Sequence, residues 1–312
     1  MNAAVAGVLQ VRAAGELAHD ALARSGGVLR PLPAFPDSPY WLAGTQIVWL
    51  GGAGGVWHPR RILLEDPRQA GVSSRLLVSL GGGEVWRCAP LPRIAPAQLA
   101  AACERIGRGI AGIGAAAGFG VLLFAGELRF PLAPALARVR ALGQAVRADD
   151  AAAFEAAALP LLGLGPGLTP SGDDLVGACL FARRLCGLDA AWDAVAKNLT
   201  RAATARSNTI SAALFGDLAR GAAYAPLHDL AAAASARSDG GDDAALVAAA
   251  ASLTAIGHSS GWDMLTGFFI GAGVLPLAGK PRQAGLSSRL PIIDGHFAVS
   301  SRFAQPAQDL TP

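Results

Sequence analysis

The chain has 312 residues and a formal net charge of +3, enough length for two domains or for one domain with a subdomain. Charged residues make up only 16% and hydrophobic ones 52%. No basic block stands out, which argues against nucleic-acid binding, and the large alanine share points to closely packed helices with small interface residues, not a greasy surface.

Residues 1 to about 95 read as mainly β. Ile47–Leu50, Arg61–Leu64 and Leu76–Leu80 are short β-favouring or apolar runs punctuated by Gly, Pro or Asp. Trp41, Trp49, Trp57 and Trp86 suit a small sheet packed on aromatic side chains. The Gly81–Gly83 triplet before Glu84-Val-Trp86 predicts a hairpin turn. Pro92 and Pro96 mark the exit, with a helix from Pro96 to about Gly107 that carries proline in its first turn. A glycine-rich bridge and the apolar run Val121–Phe124 follow. From Ala133 the pattern is helical, with candidates at 134–147, 149–161, 173–187, 189–205, 209–221, 226–236, 244–256 and 261–275. Ser238–Asp243 reads as a solvated turn, and the tail from Lys280 is poor in periodicity. Within that tail, Arg282–Leu290 nearly repeats Arg68–Leu76, a match without a physical account. The expected fold class is α+β: a β-rich N-terminal subdomain over 1–95, a larger Ala-rich helical domain over 96–279, and a poorly structured tail over 280–312.

Cys88, Cys103, Cys179 and Cys186 have neither a CxxC pair nor metal-ligand spacing and read as free thiols in a reducing cytoplasm. No signal-peptide pattern opens the chain, so the expected location is cytoplasmic. The uncharged stretches 109–125 and 264–279 read as buried core, the first for its glycines and the second for its length.

The stretch that concentrates chemical potential is Gly163-Leu-Gly-Pro-Gly-Leu-Thr-Pro-Ser-Gly-Asp-Asp174. Glycines allow close backbone approach, prolines stiffen the loop, and a helix opening behind it offers free N–H groups to an anion. Asp173 and Asp174 suit the helix dipole but repel a phosphate unless a cation lies between them, which makes them candidate Mg²⁺ ligands. The stretch has an echo at Gly257-His-Ser-Ser-Gly-Trp-Asp263, so that Ser-Gly-x-Asp occurs twice, each time before an apolar helix. Two like helix starts can face each other across a pseudo-two-fold axis, bringing Asp173, Asp174 and Asp263 together with hydroxyls. Ser260 and Asp263 alone read better as a capping box, whereas the first loop has more glycine and acid than a cap requires. A third segment places Arg201, Thr204, Asn208 and Ser211 at helical spacing, for a planar amide or carboxylate ligand met by Arg201 or Arg206, or simply as an exposed face capped at Ser207 or Asn208. His258 is a candidate acid–base group or a satisfied histidine. Walker A, dinucleotide, GxSxG and HExxH patterns are absent.

Gly165-Pro-Gly-Leu-Thr-Pro-Ser-Gly-Asp-Asp174, then the Thr/Ser-rich segment 204–211, then Gly257-His-Ser-Ser-Gly-x-Asp263, resembles the AllH-like family, which includes the AllH subunit of an oxamate carbamoyltransferase of allantoin breakdown. The resemblance implies a subunit working with FdrA-like (AllF) and AllG-like partners in reversible carbamoyl transfer between carbamoyl phosphate and oxamate, giving oxalurate. The Ser-Thr-Arg-Thr phosphate loop of ordinary carbamoyltransferases is missing. On this reading Gly165, Gly167 and Gly172, with Thr169 and Ser171, cradle the anion. Asp173 and Asp174 hold Mg²⁺ or orient the amine, and Asp263 with His258 closes the far side. Thr204, Ser211, Ser259 and Ser260 complete the expected substrate contacts. The competing reading is a non-catalytic ligand-binding or assembly subunit.

Overall fold

In the computed structural model, residues 8–36, 38–52, 54–66, 75–236 and 243–274 are described. Strand β1 (Leu9–Gly15) buries Leu9, Val11 and Ala13 in alternation and runs straight into helix α1 (Glu16–Ser25). The region expected to be mainly β therefore contains a helix. Its Ala18, Ala21 and Leu22 form a narrow buried stripe at helical spacing, and Gly26, at φ 63°, ends it in the left-handed conformation. Strands β2 (Val28–Pro31), β3 (Tyr40–Ala43), β4 (Gln46–Gly51), β5 (Arg61–Leu64), β6 (Leu76–Ser79) and β7 (Glu84–Trp86) follow.

Pairing runs β5–β4–β3–β2–β6–β1, and β1 pairs again with β5, so the sheet closes on itself. Closure removes free edges from a small sheet. The expected hairpin at 81–83 does not form. Both β6 and β7 run parallel to β1, β6 beside Leu9 and Gln10 and β7 beside Ala13 to Gly15. The turn closed by Gly83 N–H on the Leu80 carbonyl (2.9 Å) carries the chain further along β1 instead of reversing it.

The rest is helical, as expected: α2 (Pro96–Gly109), α3 (Leu136–Arg147), α4 (Ala151–Ala158), α5 (Ser171–Cys186), α6 (Ala190–Arg206), α7 (Thr209–Arg220), α8 (Ala225–Ser235), α9 (Ala244–Thr254) and α10 (Ser260–Gly271). Helix α4 stops short of the expected boundary because Pro160 cannot continue it, and Leu159–Leu161 tightens into a 3-10 turn. The apolar run at 121–124 belongs to another 3-10 segment, Gly118–Phe124. The solvated turn expected at 238–243 lies mostly outside the described residues, as do the tail and nearly all of both copies of the near-repeat.

Helices α5 and α10 form the buried centre and run parallel, with their N-termini together. Gly267 of α10 faces Leu175 and Ala178 of α5, and Gly271 faces Cys179 and Ala182. A Cβ at either glycine would collide with a backbone carbonyl of α5, so the two backbones touch only because these positions are glycine. The closed sheet is fixed to the helices by a buried ion pair. The Arg60 guanidinium donates to both carboxylate oxygens of Asp217 on α7 and to the Ile47 carbonyl (3.0 Å). Leu32 and Ile47 pack beside it on Ile210 and Leu214 of α7. No helix among the described residues is long and apolar enough to cross a membrane. All four cysteines are unpaired.

Candidate functional site

The two helix starts are built alike. Leu164 N–H bonds the Leu161 carbonyl (3.0 Å), and Ile256 N–H bonds that of Leu253 (3.0 Å). Gly172 N–H then bonds Leu164 (2.9 Å) and Gly261 N–H bonds Ile256 (3.0 Å). A Cβ at Gly172 would strike the Leu161 carbonyl, and one at Gly261 that of Leu253. The glycine of each Ser-Gly-x-Asp thus lets its helix start sit on the end of the preceding helical turn. Gly172's N–H is used inside the fold and is not free for an anion.

Neither start carries a side-chain cap, so the capping-box reading of Ser260 and Asp263 fails. The polar side chains reach across instead. Thr169 and Ser260 hydroxyls lie 2.8 Å apart and Ser171 and Ser259 hydroxyls 3.4 Å apart, which stitches the two N-termini together. Behind the first pair lies Asp174, and behind the second lies Asp263. Burial, then the charge of Asp263, holds the Asp174 carboxyl well above the usual range, while the Ser260 and Thr169 hydroxyls pull it back. Burial likewise raises Asp263 to about 7, against the stabilising Phe119 N–H and the Ser171 and Ser259 hydroxyls. One oxygen of each carboxyl is buried without a partner. Phe119 N–H meets the other oxygen of Asp263 at 2.6 Å, from the start of the 3-10 segment, where Gly118 (φ 56°) leaves no room for a Cβ beside the carboxylate. The backbone signal at Gly118-Phe119 escapes sequence reading because its partner lies 144 positions away.

Asp173 has a different job. One oxygen accepts Gly163 N–H (2.8 Å), and the other accepts the Ser207 hydroxyl and the Ser211 hydroxyl (2.6 Å). It locks the glycine loop to the start of α7. Asn208 caps α7 through Ile210 and Ser211 N–H (3.0 Å each) and donates to Leu168 O (2.9 Å) from the same loop. With both Asp173 oxygens engaged by protein donors, the residue pair expected to hold Mg²⁺ does not fit that role, and among the described residues no group of three or more His, Cys, Asp or Glu is placed to hold a metal. The shared helical face of Arg201, Thr204, Asn208 and Ser211 is broken by the end of α6 at Arg206. Thr204 is exposed, bonded to the Thr200 carbonyl (3.3 Å), and borders neither cleft at the helix starts.

Two clefts reach the paired starts. A larger one, about 730 Å³, is bordered by Pro166, Ser171, His258 and Ser259 and by Glu127, Arg129 and Phe130 of the preceding segment. His258 is exposed there, beside the hydroxyl pair backed by Asp263. A smaller cleft, about 350 Å³, is bordered by Thr169 and Ser260 and by Tyr40, Trp49 and Tyr224. Gly165 (φ 119°) and Gly167 (φ 94°) hold the left-handed turns between them. Tyr40, Trp49, Tyr224 and Arg129 are site-bordering residues that the motifs did not disclose.

A family model described as oxamate carbamoyltransferase subunit AllH matches residues 161–272. The matched stretch runs from the turn before α5 to the end of α10 and so contains both helix starts and the Asp173 lock. No curated protein and no solved structure matches the chain.

Proposed function

We propose, from the match of residues 161–272 to the AllH model, that this chain is a subunit of an oxamate-carbamoyltransferase-type enzyme acting on a small amide or carboxylate. FdrA-like and AllG-like chains are its proposed partners. The observation that carries the reading is that the matched stretch folds into one site, with both Ser-Gly-x-Asp starts side by side around buried carboxyls. In the transfer itself a bond forms between the amide nitrogen of oxamate and the carbamoyl carbon. The bond from that carbon to the phosphate oxygen breaks, and the nitrogen gives up a proton. The larger cleft offers Arg129 and His258 as partners for anionic groups, and the Ser171 and Ser259 hydroxyls as contacts for the amide. Asp263, with a pKa near 7 behind those hydroxyls, is suited to take the proton through them. Because Asp173 has no free oxygen, we assign no step to a metal.

The second reading, an assembly subunit without chemistry of its own, draws on the same geometry. Gly172, Gly261 and Asp173 are spent on holding the fold. Oxalurate formation decides between the two, measured with this chain and its partners together, with each omitted, and with Asp263→Asn. Formation that requires the chain and falls about a hundredfold or more in the variant supports transfer at this site. A full rate with both Asp174→Asn and Asp263→Asn in place makes the chain an assembly subunit.

A further inference from the structure

The smaller cleft shares no bordering residue with the larger one and differs from it in chemistry. Its aromatic side is a continuous wall. Tyr40 and Trp49 meet edge to face at 5.7 Å between ring centroids, and Trp49 and Tyr224 lie 6.0 Å apart. The His58 ring packs on both Trp49 and Tyr224, at 4.9 and 4.7 Å between centroids, and fills the space between them, so the rings form no cage around a cation and the part of Trp49 that borders the cleft is left for stacking. Across from the wall stand the Thr169 and Ser260 hydroxyls, which bond each other at 2.8 Å. Among the described residues, no Lys, Arg, His, Asp or Glu borders the cleft. Asp174 lies behind the hydroxyls with one oxygen unpartnered. Burial raises its pKa well above the usual carboxylate range and so favours its uncharged form, pushes the Tyr40 phenol up to about 12, and raises that of Tyr224 as well. The polar side chains that border the cleft among the described residues, Tyr40, Thr169, Tyr224 and Ser260, are therefore neutral donors or acceptors.

We propose that this cleft is a second ligand site, for a small, flat, uncharged molecule carrying an amide or urea group. The flat face stacks on Trp49, and the amide edge exchanges hydrogen bonds with the Thr169–Ser260 pair. A carboxylate loses its hydration there without meeting a cation, and an ammonium or amidinium loses its own without meeting an anion. A volume of about 350 Å³ lies in the range of small-molecule sites. The site stands whether or not the transfer reading does, because no residue that borders this cleft takes a step in the proposed transfer.

Three probes of one shape and different charge test it: benzamide, benzoate and benzamidine. Binding is followed by saturation-transfer NMR on the full chain, and a melting curve confirms that each variant is folded. Benzamide is expected to bind at least tenfold more tightly than either charged probe. Ser260→Ala and Trp49→Leu should each weaken it about tenfold, while His258→Ala and Arg129→Ala, on the other cleft, leave it unchanged. Equal binding of a charged probe overturns the proposal, as does a benzamide signal that is absent from the wild type or insensitive to both cleft variants.

Discussion

Replacing Asp263 by asparagine should make the protein more stable at alkaline pH while damaging the proposed transfer. The carboxyl is fully buried, and its pKa rises from an ordinary 3.8 to about 7. A folded-state pKa above the unfolded one means that the folded chain binds more protons between those two values. Stability is then greatest below pH 4 and falls as pH rises toward 7, after which the loss is complete. About 3 pH units at about 1.4 kcal/mol each sets a ceiling on the order of 4 kcal/mol for the loss. Asparagine keeps an oxygen for Phe119 N–H, which the carboxylate accepts at 2.6 Å, and it carries no charge to desolvate. Urea denaturation of wild type and Asp263→Asn at pH values from 4 to 8 should give curves that meet near pH 4 and separate with rising pH, the variant above. The difference between them cancels the titration of groups common to both. A constant difference across that range would refute the argument, because Asp263 would then titrate alike folded and unfolded.

Two further outcomes follow from the packing. Gly267→Ala puts a methyl into the Leu175 carbonyl and within 3.0 Å of the Ala178 Cβ, so it should cost about 1–3 kcal/mol in chemical denaturation; a change under about 0.5 kcal/mol would mean that α5 and α10 can part freely. Asp217→Ala leaves Arg60 buried at 6% exposure without its carboxylate and should cost about 3–5 kcal/mol, read as a drop in melting temperature, whereas an unchanged melting curve would show that the sheet is not fixed to α7 through this pair.

The helical array was legible because its residues repeat at helical spacing and because glycine, proline, Asn208 and Asp189 mark the ends by local chemistry. Helix α1 was missed for its short length among β-favouring runs, although Ala18, Ala21 and Leu22 carry the helical spacing. The predicted hairpin failed for a related reason: a glycine triplet sets a turn but does not say whether the next strand pairs with the last one or with β1. At the site, the paired motifs were visible and the division of labour was not. Asp173 and Asp174 are neighbours in sequence, yet adjacent residues on a helix point about 100° apart. One therefore reaches Ser207 and Ser211, and the other faces Ser260.

What the amino-acid sequence determines by itself is local: where helices begin and end, that the fold is α+β, and that Ser-Gly-x-Asp opens two apolar helices. Such features depend on residues a few positions apart, whose backbone preferences act in any context. Tertiary structure alone decides that Gly267 and Gly271 bring those helices into backbone contact and that their serines bond across the gap. It decides too that Tyr40 and Trp49 from the sheet meet Tyr224 from the helices over one cleft. Those partners lie far apart in the chain, and only burial brings them close enough for the carboxyls of Asp174 and Asp263 to lose their water and for their pKa values to rise.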